Sequence, residues 1–146
     1  MKYVVLYAED DHTDMLICQH AFKSLEKQIQ LHFVPDGQSL MDWLDGNGTY
    51  ANRAFYPKPH IIIVDSKLTD ATGLDLVHWI RNHRRWKDVP IILHFGIIAP
   101  HEVTKYHETG VTACIEKESA CRNLVNGIRA ILSGEPVREP IPAGHF

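Results

Sequence analysis

The sequence is poor in cysteine. Its 146 residues hold three, Cys18, Cys114 and Cys121, an odd and scattered set. Such a set builds neither a disulfide framework nor a paired zinc motif, which fits a reducing cytoplasm. No apolar run approaches the ~20 residues that span a bilayer. The apolar start from Met1 stops at Glu9, is too short for a signal peptide and lacks a cleavage region. Nor is there a basic excess: 15 Lys+Arg against 18 Asp+Glu leave a net charge of −3. That balance argues against nucleic-acid affinity carried by the whole surface. Internal repeats and low-complexity stretches are absent as well. Membrane, secreted disulfide-scaffold and nucleic-acid-coating classes drop out, and the expected location is the cytoplasm.

What remains is an ordinary globular composition, 45% hydrophobic and 23% charged, at a length suited to one domain with a sizeable core. Apolar runs at residues 4–8, 31–34, 61–64, 91–95 and 112–115 read as strands. Each is followed by apolar residues at helical spacing. These are Met15, Cys18, Phe22 and Leu25, then Leu40, Trp43 and Leu44, then Leu76, Val77 and Ile80, then Val103 and Tyr106. The last and clearest set runs from Leu124 to Leu132. Gly46, Gly110 and Gly134 punctuate helix ends. Residues 48–59 read as a loop. The run Ile61-Ile62-Ile63-Val64 is too apolar for a sheet with one wet face and belongs to a central parallel strand covered on both sides.

Strict alternation predicts an α/β fold: a doubly wound, five-stranded parallel sheet flanked by five helices. The domain is expected to occupy residues 1–134. Residues 135–146, with three prolines, form a Pro-rich C-terminal tail expected to be poorly ordered.

In such a fold the ligand site lies beyond the carboxyl ends of the strands, at the switch in strand order. There the sequence places Glu9, Asp10 and Asp11 after strand 1, Asp65 after strand 3 and Lys117 after strand 5. Converging carboxylates raise one another's pKa unless a cation sits among them. A hard divalent ion with oxygen ligands, Mg²⁺ foremost, answers that need. Carboxylates, Mg²⁺ and a lysine are the parts for accepting and holding a phosphoryl group. Any one of these acids alone reads more often as structural, a helix cap for instance, as Asp11 could be at the start of helix 1.

The same residues resemble a known family. Val5-Leu6-Tyr7-Ala8-Glu9-Asp10-Asp11 resembles the first strand and acidic pair of the receiver domain of bacterial two-component response regulators. Ile61-Ile62-Ile63-Val64-Asp65, with Gly73 eight residues on, resembles its phosphoacceptor strand and loop. Val89-Pro90-Ile91-Ile92-Leu93 resembles strand 4, and Lys117 the lysine after strand 5. The likeness covers residues 2–133 and implies the flavodoxin-like (βα)5 receiver fold. The long segment before strand 3, with Gly48-Thr49-Tyr50-Ala51 and Pro57-Lys58-Pro59-His60, resembles the single-domain, chemotaxis-regulator-like subclass paired with phytochrome-type kinases.

The resemblance implies that Asp65 accepts a phosphoryl group from a sensor histidine kinase. It implies Mg²⁺ on Asp10, Asp65 and the Lys67 backbone carbonyl, with Glu9 binding directly or through water, and Lys117 neutralising the phosphoryl oxygens. No enzymatic turnover is expected. The stretch after helix 5 is too short for a DNA-binding domain, so output is expected through a downstream protein partner or a phosphotransfer protein. The expected output face is helix 4, strand 5 and helix 5, including His101, Lys105, Tyr106 and Cys114, with a homodimer across it by analogy. The basic run from Arg81 to Lys87 reads as a helix end rather than a nucleic-acid patch.

Three positions depart from the family. Phe95 stands where strand 4 ends in Thr or Ser, Cys114 stands at the aromatic position of strand 5, and Glu118 follows Lys117 in place of a cis proline. A cis bond to a non-proline costs ~3 kcal/mol, so a trans loop is expected, with Glu118 a competitor for Lys117. The site reads as intact and the switch as altered. Two other classes compete. One is a pseudo-receiver, a binding module not regulated by phosphorylation. The other is a phosphatase-like enzyme, from the faint D-x-D-x-T likeness of Asp65-Ser66-Lys67-Leu68-Thr69, where Lys67 stands in place of the second Asp.

Overall fold

The computed structural model describes residues 1–139. Five strands run parallel in the order β2-β1-β3-β4-β5: β1 Tyr3–Ala8, β2 Ile29–Val34, β3 Ile61–Asp65, β4 Ile91–Phe95 and β5 Ala113–Glu116. Helices α1 His12–Ala21, α2 Gly37–Asp45, α3 Gly73–Arg81, α4 Pro100–Thr109 and α5 Arg122–Leu132 follow them in turn. This is the expected doubly wound sheet. Because side chains alternate across a strand, Val5, Tyr7, Ile61, Ile63 and Ile115 face α1 and α5 in one core layer. Leu6, Ala8, Ile62, Val64, Leu93 and Phe95 face α2, α3 and α4 in the other.

The differences from the sequence reading have local causes. β2 begins at Ile29 rather than 31 because it pairs with β1 over its whole length, Tyr3 opposite Ile29. As an edge strand it needs no unbroken apolar run, and Gln30 is exposed. The apolar series of the first helix continues past Ala21 only as a 3₁₀ turn, Phe22–Leu25. Residues 48–59 are a pinned loop: Gly48–Ala51 is a 3₁₀ turn, and Tyr50 and Tyr56 pack with Trp43 at ring distances of 5.4 and 5.3 Å. Arg53 donates to the carbonyls of Trp43 and Leu44 at 2.6 and 3.0 Å, satisfying the open end of α2.

Part of the basic run is structural as well, while Arg84, Arg85 and Lys87 are exposed. Arg81 donates to the Gly110 carbonyl at 2.8 Å, His83 bonds Asp45 at 2.7 Å and Trp86 is buried. The tail also departs from expectation. Residues 135–139 lie against the domain, Val137 packing on the α1/α5 core layer. Glu139 accepts from the Cys114 amide of β5 at 2.9 Å and from His107 Nε2 of α4 at 2.8 Å. The rest of the tail, 140–146, lies outside the described residues. No helix of the described residues is long and apolar enough to cross a membrane.

Candidate functional site

The strand order reverses between β1 and β3, whose ends are in register, Ala8 opposite Val64. The residues just beyond, Glu9, Asp10 and Asp65, therefore meet in one crevice, each offering a carboxylate oxygen within 4.8 Å of the others. Lys117, one residue past β5, reaches across it. Its Nζ lies 2.9 Å from Glu9 Oε2 and 3.3 Å from Asp65 Oδ2. It is also 2.8 Å from Asp14 Oδ2. Four of the expected site residues thus come together.

Asp14 is the member the sequence reading missed. It stands in the first turn of α1, where an acid reads as a favourable partner of the helix dipole. The expected competitor, Glu118, instead accepts from the Asn123 amide at the start of α5, at 2.6 Å. Asp11 caps α1 by accepting from the Asp14 amide at 2.9 Å and is not among the converging acids. Lys67 follows Ser66 in the β3–α3 loop, bridging to Thr72.

The loop after Asp65 is fastened on both sides. Asp70 accepts from the Gly37 and Gln38 amides at 2.8 and 2.9 Å, tying it to the first turn of α2. The Gly73 amide donates to the Ser66 carbonyl at 3.0 Å, and Thr72 with Asp75 forms a reciprocal cap on α3. Gly73 is required by close approach: a Cβ there would stand 2.7 Å from the Asp65 carbonyl oxygen and 2.9 Å from the Tyr106 hydroxyl.

Electrostatics follow from burial. Glu9 is fully buried, which raises its pKa to about 7. The bonds from Lys117 and the Asp11 amide oppose that rise and the charge of Asp65 adds to it. Burial alone would pull Lys117 down, but its bonds to Asp14 and Glu9 and the charge of Asp65 hold its pKa above the usual lysine range. Beneath the acids, the Tyr7 hydroxyl lies 3.3 Å from Glu9 Oε2 and 2.5 Å from His94 Nδ1. Its single proton serves one acceptor at a time. His94 is buried, its pKa lowered to about 3 by burial and then by Lys117, so the ring is neutral.

The three carboxylates suit a hard divalent cation. Octahedral bonds of ~2.1 Å set ligand oxygens about 3–4 Å apart, and a small contraction of this cluster reaches that. A second group, His107, Cys114 and Glu139, also gathers within 4.8 Å. Its nitrogen and oxygen are already paired with one another.

The face expected to carry output is partly inside. Tyr106 and Cys114 are 4% exposed, packed with Phe95 in the α2/α3/α4 core layer, whereas His101 and Lys105 are exposed. The peptide after Lys117 is trans, since the described residues contain no cis bond.

A parallel sheet of this order, with acids beyond β1 and β3 and a lysine beyond β5, defines the class of receiver domains. The chain belongs to that family: the model of the response regulator receiver domain matches residues 5–129. Among curated proteins it is 24% identical over 130 residues to response regulator Rcp1 of Synechocystis, covering 89% of this chain and 86% of that one. Two solved structures share the fold at TM-scores of 0.76 and 0.81. They are the Mn²⁺-bound form of Rcp1, at 23% identity over 97% of this chain and 99% of that one, and the phosphorylated cyanobacterial phytochrome response regulator RcpA, at 22% over 92% and 96%. A third, response regulator RPA3017 in red light signalling of R. palustris, aligns at 24% identity and a TM-score of 0.79 over 97% and 99%.

Proposed function

We propose that this chain is a receiver that accepts a phosphoryl group on Asp65 from the phosphohistidine of a sensor histidine kinase and signals through a protein partner. The observation that carries this is the placement of Asp65 Oδ2, in a crevice with Glu9 and Asp10 and 3.3 Å from Lys117 Nζ. The Asp65 carboxylate attacks phosphorus and displaces the donor nitrogen, in line. Glu9, Asp10, Asp65 and the Lys67 backbone carbonyl would hold Mg²⁺, which when bound supplies positive charge beside the phosphoryl oxygens. Lys117 follows the new charge, giving up Asp14, the most exposed of its three carboxylates.

The Mn²⁺ form of Rcp1 and the phosphorylated form of RcpA support the metal and the phosphoryl readings by likeness. The partners are a histidine kinase and a downstream protein or phosphotransfer protein, in the cytoplasm, without nucleic acid or membrane. A homodimer over α4, β5 and α5 would have to accommodate residues 135–139, which bond to β5 and α4. Catalytic turnover forms no part of this reading: Lys67, where a phosphatase of the D-x-D-x-T type needs its second acid, is exposed.

The switch differs from the family's. Phe95 has no hydroxyl to turn toward a phosphoryl oxygen, and it is buried beside Tyr106. Incubation with an autophosphorylated histidine kinase of the phytochrome type tests the reading. Label should pass to the wild type and not to Asp65→Asn. A wild type that takes no label from such a kinase or from a small phosphodonor favours the pseudo-receiver.

A further inference from the structure

The structure brings two of the three scattered cysteines together. Cys18 of α1 and Cys121, the residue before α5, are 103 positions apart, yet their Sγ atoms lie 3.4 Å apart. A disulfide bond is ~2.05 Å, so closure asks for an approach of about 1.4 Å. We infer that Cys18 and Cys121 form a reversible dithiol–disulfide couple, closed by a peroxide-class oxidant and reopened by a thiol.

Three observations beyond the distance support the couple. Cys121 has φ of 53°, alone among the non-glycine residues described in having a positive φ. A side-chain-bearing residue rarely adopts that conformation, and it persists only where the surroundings fix it. Either sulfur can donate across this contact; with Cys18 as the donor it lowers the Cys121 pKa, while the same contact, with burial, raises that of Cys18. The two sulfurs are thus unequal, with Cys121 the nucleophile. Finally, both thiols are buried, but a recess of about 390 Å³ lined by Leu16, Ile17, His20, Ser119 and Ala120 lies against the chain neighbours of each.

The chemistry balances. The Cys121 thiolate attacks one peroxide oxygen, an S–O bond forms, the O–O bond breaks and hydroxide leaves. The Cys18 sulfur then attacks that sulfenic sulfur, the S–S bond forms, the S–O bond breaks and water leaves. Two thiols and one hydrogen peroxide give one disulfide and two waters. Cys114, buried in the opposite core layer, stays outside the couple.

The bond would sit at a consequential place. Cys18 is one helical turn beyond Asp14, and Cys121 closes the loop that begins at Lys117, so the cross-link spans the two elements that Lys117 already joins. Tyr7, which contacts Glu9, shares their core layer. Oxidation therefore tethers the Lys117 loop to α1 independently of any phosphoryl chemistry.

The full-length reduced protein is treated with hydrogen peroxide, unfolded in denaturant containing an alkylating agent so that every remaining thiol is trapped, and read by intact mass and an unreduced peptide map. The expected product has lost two hydrogens, carries one alkylated cysteine, Cys114, and yields a cross-linked peptide joining Cys18 to Cys121. Dithiothreitol should reverse it. Cys114→Ser should still form it, and Cys18→Ser and Cys121→Ser should not. The wild-type map decides the matter even where a variant folds poorly. Three alkylated cysteines after peroxide, or oxygen added at Cys114 with no cross-link, would overturn the couple.

Discussion

Replacing Lys117 with Met removes the one cation that three carboxylates share. The side chains involved are 18% exposed for Lys117, 0% for Glu9, 10% for Asp65 and 33% for Asp14. Removing one partner of a buried pair costs about 3–5 kcal/mol because the other charge stays buried and uncompensated. The Asp14 bond, a third exposed, adds at most about 1 kcal/mol. Glu9 can escape the penalty by taking a proton. Its folded-state pKa is about 7 with Lys117 present, and it rises further without it. A carboxyl group with a raised folded-state pKa contributes stability that is present below its unfolded value, near 4.5, and is lost as pH climbs through the folded value. The variant should therefore lose about 3 kcal/mol at pH 8 and about 1 kcal/mol at pH 5.5, where Glu9 is already neutral. For a domain of this size that is roughly 6–12 °C against 2–4 °C in melting temperature. Millimolar-scale Mg²⁺ should restore part of the loss at pH 8 by mass action. Melting curves at both pH values, with and without Mg²⁺, check it. Equal losses at the two pH values, or no response to Mg²⁺ at pH 8, would refute the reasoning from burial.

Metal and proton compete for Glu9, whose pKa is about 7, so affinity for Mg²⁺ should rise between pH 6 and pH 8, with release of close to one proton per ion at pH 6 falling toward none at pH 8; calorimetry in two buffers of different ionisation enthalpy measures it. Gly73→Ala puts a methyl 2.7 Å from the Asp65 carbonyl, and chemical denaturation should register a loss of about 1–3 kcal/mol. Phosphoryl-mimic binding should change amide-exchange protection over residues 95–116 little in the wild type and more in Phe95→Thr, because a ligand shifts an equilibrium only by its differential affinity for two states.

The alternation of apolar runs and helical patterns was enough to place five strands and five helices, because parallel strands buried on both faces leave unmistakable runs such as Ile61-Ile62-Ile63-Val64. It failed where tertiary pairing overrides composition, as at Ile29 and Gln30 of the edge strand. Glu9, Asp10, Asp65 and Lys117 were legible because the topology dictates that residues beyond the strand ends meet. Asp14 was not, since no sequence spacing says that an acid inside α1 faces Lys117. The contact of Cys18 with Cys121 was equally silent, being set by how α1 and the loop before α5 meet on one face of the sheet. Residues 135–139 misled for a different reason: Pro136 stops a helix but does not prevent the chain beyond it from packing through Val137 and Glu139.

The claim that Asp65 is a phosphoacceptor is tested most directly by intact mass after incubation with Mg²⁺ and a small phosphodonor. The wild type should gain the mass of one phosphoryl group, lose it on treatment with hydroxylamine, and gain none when Mg²⁺ is withheld by a chelator. Asp65→Asn should gain none at all. A phosphoryl group on Asp65→Asn, or none on a folded, Mg²⁺-saturated wild type, would contradict the account.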